Sequence, residues 1–148
     1  MIIDKATIED IAELCGLLGI LFSQEIEFTP DAEIQARGLR MIIDNPELGI
    51  ILVARHNNKL LGMVYLLFTV STALGSRVAI LEDMVVLPTE RGSGVGSALL
   101  SAAIATASEQ GCQRVTLLTD SSNEAAHLFY EKQGFTRSQM LAFRRMLV

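Results

Sequence analysis

Hydrophobic and polar positions alternate with two periods along this chain, and their punctuation marks out the elements. Ile2 to Lys5 reads as a short strand. Thr7 is placed to cap a helix running to about Leu21, with Ile11, Leu14, Cys15 and Leu18 on one face. Phe22 to Pro30 reads as a loop, and Asp31 starts a second helix ending near Asn45-Pro46. Ile50 to Arg55 and Lys59 to Val70 read as strands joined by a tight Asn57-Asn58 hairpin turn. Gly75-Ser76 breaks the pattern before a strand over Val78 to Leu87. A helix follows as far as Gln110, with Leu100, Ala103, Ile104 and Ala107 at core spacing and Gly111 as its stop. Val115 to Thr119 reads as a buried strand, then comes a short helix. Two last strands are predicted near Phe135 to Ser138 and Leu141 to Leu147.

Strand, helix and strand from Val78 to Thr119 imply a parallel pair with a right-handed crossover. The hairpins on either side imply antiparallel neighbours. The expected fold class is therefore α/β (α+β), with a mixed, mostly antiparallel sheet flanked by about four helices. The 148 residues suit one domain, 1–148, with no linker, repeat or low-complexity segment.

The chemistry concentrates where the Val78 strand meets the following helix, in Leu81-Glu-Asp-Met-Val-Val-Leu-Pro-Thr-Glu-Arg-Gly-Ser-Gly-Val-Gly-Ser. Gly92, Gly94 and Gly96 leave backbone N–H groups uncovered, and the helix N-terminus behind them adds partial positive charge. Such a turn cradles a phosphate or pyrophosphate, with Arg91 supplying a full charge at its edge. The bland alternative is a tight helix-entry turn and nothing more. No Lys follows the glycines as a P-loop requires. Ser97 stands where a dinucleotide fingerprint needs its last glycine.

Ser121 to Phe135 forms a second, independent segment. Ser121 and Glu124 have capping-box spacing, and Gly134 sits at the left-handed stop. Asn123 and Tyr130, seven residues apart, share one helix face about 10 Å from each other. An amide and a phenol so spaced suit a thin, extended ligand. Alternatively, Tyr130 is a half-buried aromatic with a wet hydroxyl.

Arg91-x-x-Gly94-x-Gly96, together with Asn123, Phe129-Tyr130 and Gly134-Phe135, resembles the GCN5-related N-acetyltransferase (GNAT) superfamily of small single-domain enzymes. The resemblance covers the whole chain. It implies the acyl-CoA N-acyltransferase fold, whose central parallel pair splays apart to admit pantetheine. It implies acetyl-CoA as co-substrate and no metal. Arg91, Gly92, Ser93, Gly94, Val95, Gly96 and Ser97 become the pyrophosphate loop, and Asn123 a pantetheine contact. Tyr130 becomes the acid that protonates the departing thiolate. Backbone groups of Met84, Val85 and Val86 become the donors to the thioester carbonyl.

Acetyl transfer to an amine needs a base for the ammonium proton, and Glu82 and Asp83 are the candidates. Adjacent strand residues face opposite ways, so only one of them reaches the acceptor unless a bulge intervenes. Alternation puts Glu82 with Met84 and Val86, and Asp83 with Leu81, Val85 and Leu87. Leu81-Glu82-Asp83 resembles the polyamine and amino-sugar-phosphate branches, where such carboxylates meet the acceptor amine. An acidic pair at a strand end, simply solvated, is the competing explanation.

Net charge −5 and a pI near 5.0 argue against a nucleic-acid surface. Half the residues are apolar and mean hydropathy is +0.39, which excludes a disordered chain. No apolar run is long enough to span a membrane, and Met1 to Lys5 is not expected to act as a signal peptide. Cys15 and Cys112 give neither metal spacing nor a disulfide framework, which suits the cytoplasm. Glu25 and Glu27 are either an acidic mouth for a cationic amine or a solvated loop. Arg144 and Arg145 either suit a phosphorylated amino sugar or face outward on a strand. His56 is expected at a turn, and His127 as a half-exposed helix residue. The resemblance implies a small primary amine as partner and a homodimer. Two alternatives stay open: a protein or peptide N-acetyltransferase, and a non-catalytic acyl-CoA-binding module.

Overall fold

The computed structural model describes residues 1–24 and 31–148. Glu25 and Glu27 therefore lie outside the described residues. Two compact units emerge, 1–118 and 119–148. Among the described residues, no helix is long and apolar enough to cross a membrane.

The first unit is a five-stranded sheet in the order β1-β2-β3-β4-β5. Strands β1 (Ile2–Lys5), β2 (Gly49–His56), β3 (Lys59–Ser71) and β4 (Ser76–Val86) pair antiparallel in sequence. β5 (Val115–Leu117) pairs parallel with β4. At the β2–β3 turn, Asn57 and Asn58 adopt φ of 49° and 63°, the left-handed region that such a hairpin turn requires. The helices are α1 (Ile11–Gln24), α2 (Ala32–Ile43) and α3 (Val95–Glu109), with α4 (Glu124–Lys132) in the second unit.

Capping sets where the first helices begin. Thr7 and Asp10 form a capping box on a 3-10 turn, Ile8–Asp10, that leads into α1. Asp10 then accepts two 2.9 Å hydrogen bonds from Arg55 of β2, fastening the helix entrance to the sheet. The Asp31 carboxylate caps α2 through the amides of Glu33 and Ile34. α1 continues three residues into the expected loop, through Gln24.

The helices cover opposite faces of the sheet. Ile11, Leu14, Leu17 and Leu18 of α1, with Leu39 and Ile42 of α2, bury against Ile51, Val53, Leu60, Met63 and Val85. α3 lies on the other face, its Leu99, Leu100, Ala103 and Ala107 almost wholly buried. Ile104, expected in that stripe, is exposed instead, and Leu99 takes the core position. At Gly62 of β3, an added Cβ would stand 2.9 Å from the Val85 carbonyl oxygen and 3.0 Å from Leu99 Cδ1 of α3. Gly62→Ala is expected to destabilise the protein by about 1–3 kcal/mol through this overpacking, read by chemical denaturation. An unchanged midpoint would mean that α3 and β4 give way freely.

Three sequence expectations need correction. β5 is three residues long and only half-buried, not a buried strand to Thr119. Asn123, not Ser121, is the N-cap of α4. Residues 135–148 form no strand, and Met140, Leu141, Phe143, Met146 and Leu147 are exposed. A strand exists only through its ladder, and alternation without a paired edge does not make one.

Candidate functional site

Residues 1–118 hold the two carboxylates and the glycine loop. β3 and β4 keep register from Ser71↔Ser76 to Tyr65↔Glu82, and resume it at Met63↔Val85. Asp83 and Met84 thus oppose the single residue Val64, a β-bulge. Asp83 carries the local strain, with φ of 48°, a region few residues other than glycine, Asn and Asp tolerate.

The bulge overturns the expected alternation of faces. Tyr65 packs against the α1/α2 core cluster, and Glu82 pairs directly with it, so Glu82 shares that face with Val85. Asp83 reaches the same face, because its Oδ2 accepts a 2.8 Å hydrogen bond from the Tyr65 hydroxyl. Both carboxylates therefore stand beside Tyr65. Burial raises the Asp83 pKa, partly offset by the Tyr65 hydrogen bond. The Tyr65 phenol is pushed far above its ordinary value, by burial first and then by the Asp83 charge.

A raised carboxylate pKa has a defined sign in stability. The folded state holds the Asp83 proton more tightly than the unfolded chain does. Its contribution is full below the unfolded carboxylate pKa and fades as pH rises through the folded one. Asp83→Asn keeps an oxygen for Tyr65 and removes the charge. The variant is expected to melt above wild type near pH ~8, with the gap closing toward pH ~4. Thermal melts across that range check it, and a gap that widens on acidification would contradict the burial argument.

On the side away from β3, the end of β4 has no strand partner among the described residues. The parallel ladder comprises Ala79↔Val115, Ile80↔Thr116 and Leu81↔Leu117, and stops there. From Glu82 onward no described strand pairs with β4 on that side. The Leu87 amide donates to the Leu61 carbonyl, so by alternation the Val86 amide points away from β3, toward that side. The family resemblance implied such a limit, as the splay of the parallel pair, whereas the residue periods alone did not.

β4 leads through a 3-10 turn, Pro88–Glu90, into the loop. Arg91, Gly92, Ser93 and Gly94 are exposed, Val95 is buried, and Gly96 and Ser97 are half-buried at the start of α3. The Ser93 hydroxyl donates to the Glu90 carbonyl and ties the loop. Gly92 and Gly94 adopt φ of 80° and 91°, and nothing lies within 4 Å of where their Cβ atoms would stand. Gly94 is the N-cap of α3 and, lacking a side chain, gives the first turn no side-chain cap. Orphan amides, a helix dipole, Arg91 and open space together suit a diphosphate.

In the second unit, the Asn123 oxygen accepts from the Ala126 amide at 3.1 Å and caps α4. α4 ends in a Schellman motif: the Phe135 amide bonds to the Tyr130 carbonyl at 3.0 Å and the Gly134 amide to that of Glu131 at 3.1 Å. Gly134 supplies the left-handed φ of 94°. The motif packs the Phe135 ring edge-on against Tyr130, centroids 5.8 Å apart, and Phe129 adds a similar contact at 5.3 Å. These contacts fix the ring, and burial raises the phenol pKa. His127 bonds to the Asp120 carbonyl, and His56 sits beside the Asn57 turn. Arg144 and Arg145 are exposed and on no strand. Tyr65 is the functional candidate that sequence reasoning missed. Its one signal was a polar-tipped aromatic inside the apolar run from Leu60 to Phe68.

The model of the acetyltransferase (GNAT) family matches residues 12–135. An uncharacterized N-acetyltransferase of Bacillus subtilis is 35% identical over 118 residues, 78% of this chain and 78% of its own length. The aminoalkylphosphonate N-acetyltransferase of Salmonella typhimurium is 27% identical over 133 residues, 90% of this chain and 83% of its own. A solved structure described as a probable acetyltransferase superposes with a TM-score of 0.83 at 27% identity, covering 100% of this chain and 98% of that one.

Proposed function

The chain belongs to the acetyltransferase (GNAT) family, and on that premise we propose that it transfers the acetyl group of acetyl-CoA to the primary amine of a small molecule by direct attack. The observation that carries this reading is the bulge at Asp83. It sets two carboxylates on one face of β4, immediately before a strand end with no described partner on one side and a diphosphate-shaped loop. We read residues 1–148 as one catalytic domain.

Acetyl-CoA, when bound, supplies an activated thioester. Arg91 and the amides from Gly92 to Ser97 hold its diphosphate, and Asn123 the pantetheine. Glu82 or Asp83 takes the ammonium proton, freeing the nitrogen lone pair to form the N–C bond. Backbone N–H groups from Met84 to Val86, Val86 foremost, stabilise the charge gathering on the carbonyl oxygen. One preorganised donor of this type is worth ~3 kcal/mol of barrier. As the C–S bond breaks, Tyr130 donates its proton to the leaving thiolate. Its raised pKa keeps that proton in place at neutral pH.

Paired carboxylates favour an acceptor that arrives as a cation. The name of the Salmonella relative adds aminoalkylphosphonates to the panel worth testing. The test is free-thiol release from acetyl-CoA with polyamines, amino sugars, amino acids and aminoalkylphosphonates, with acetylated product identified by mass. Release with at least one such amine, dependent on Glu82 or Asp83, is expected. Acetylation confined to protein or peptide N-termini would replace the acceptor, and tight coenzyme A binding with no release would replace the enzyme by a binding module.

A further inference from the structure

We propose that Tyr65 is a positioning residue for acetyl transfer, holding the Asp83 carboxylate so that Asp83, rather than Glu82, takes the proton of the acceptor ammonium. This rests on the small-amine reading above. The geometry divides the two acids. Asp83 is the bulged residue, and its left-handed backbone swings it onto the face that Glu82 already occupies. That swing is held by one directional contact, the 2.8 Å hydrogen bond from the Tyr65 hydroxyl to Oδ2. Oδ1 is then the oxygen presented to an incoming amine. Glu82 acts on the site as a like charge that sharpens its preference for cations.

Tyr65 is well suited to fix rather than react. Its ring is packed into the α1/α2 core cluster, so the hydroxyl has a set position, and its proton is not released at working pH. In the step assigned to Asp83, an N–H bond of the ammonium breaks and an Oδ1–H bond forms. The nitrogen keeps the electron pair with which it attacks. Tyr65 loses no proton and keeps donating to Oδ2 throughout.

Among the described residues, the titratable groups facing this carboxylate come from three elements. Tyr65 comes from β3 and Glu82 from β4 itself. From α1, packed over the same strands, Glu13 is committed to the amide of Leu60 at 3.0 Å. Burial raises the Asp83 pKa and the Tyr65 hydrogen bond opposes that rise. Removing the hydroxyl therefore moves the Asp83 titration upward. The enzyme then needs a higher pH before its base is ionised.

Four proteins decide the matter: wild type, Tyr65→Phe, Asp83→Asn and the double variant. Carbon-13 NMR of labelled aspartate follows the Asp83 carboxyl, identified by its loss in Asp83→Asn. Its midpoint is expected to rise in Tyr65→Phe, and an unmoved midpoint overturns the proposal. Kinetics with acetyl-CoA and either 1,3-diaminopropane or 2-aminoethylphosphonate give the second readout. In Tyr65→Phe, kcat is expected to fall about tenfold with the amine KM within about twofold. The acid limb of kcat/KM moves upward alongside. Asp83→Asn is expected to cost about 100-fold, and adding Tyr65→Phe to it to cost nothing further. Additive losses, or a collapse on Glu82→Gln with Asp83→Asn near wild type, overturn the proposal while leaving acetyl transfer standing. No thiol release from wild type with either amine sinks this small-amine reading alone, and the carboxyl titration still decides whether Tyr65 sets Asp83.

Discussion

Replacing Arg91 and Gly94 together by alanine is expected to weaken coenzyme A binding about 100-fold, measured by calorimetry. Two independent losses combine. Arg91 is an exposed cation at the rim of the loop, and a charge-assisted hydrogen bond to phosphate contributes about 1.5–3 kcal/mol. Gly94 is the N-cap of α3 at φ of 91°, where alanine costs about 1–2 kcal/mol of backbone strain or turns the orphan amides away. At 1.4 kcal/mol per decade, the sum is roughly two to three and a half decades, and 100-fold is its lower end. Arg91→Lys separates the terms by keeping charge and losing the planar fork, and it should recover part of the affinity. Circular dichroism guards against a misfolded loop helix. Equal affinity in the double variant and wild type removes the diphosphate assignment from Arg91 to Ser97.

Tyr130→Phe should reduce kcat by roughly 10–1000-fold while the KM for acetyl-CoA changes little. The ring is held by Phe129 and Phe135 and by the Schellman motif that begins at its own carbonyl, and phenylalanine keeps all of these. The substitution therefore removes one proton and almost no packing. The pH dependence has a definite sign. Burial raises the Tyr130 pKa, so the acid stays protonated through neutral and mildly alkaline pH. The alkaline fall of kcat in wild type should lie above the ordinary tyrosine range and should vanish in Tyr130→Phe. Unchanged turnover takes Tyr130 out of the acid role and leaves the thiolate to be stabilised by backbone or solvent.

Much of this layout is legible in the chain because it is local. The strand and helix periods, the Asn57-Asn58 turn, the Asp31 cap and the Gly134 stop each depend on a handful of neighbouring residues. The loop from Arg91 to Gly96 is legible for the same reason. Misreadings fall where two local signals compete, as at Ser121 and Asn123. Asn123 won because its side chain reaches the Ala126 amide from the residue adjoining the first helical turn. They fall also at the chain end, where Leu141 to Leu147 has strand-like alternation but no ladder. Ile104 shows the same limit on a helix, since periodicity gives an apolar stripe but not its centre.

What the sequence determined by itself is the inventory: the candidate residues for a diphosphate loop and for proton transfer, and the family to which the chain belongs. The tertiary structure decided which way the carboxylates face. A one-residue slip between β3 and β4 reverses a side chain's face, and the slip at Val64 is a property of two strands paired in space. That pairing brings Tyr65 to Asp83 across eighteen residues of sequence, and the end of the β5 ladder leaves no described strand on the side to which the Val86 amide turns. Neither can be written in local periods, because each depends on where another strand begins and stops.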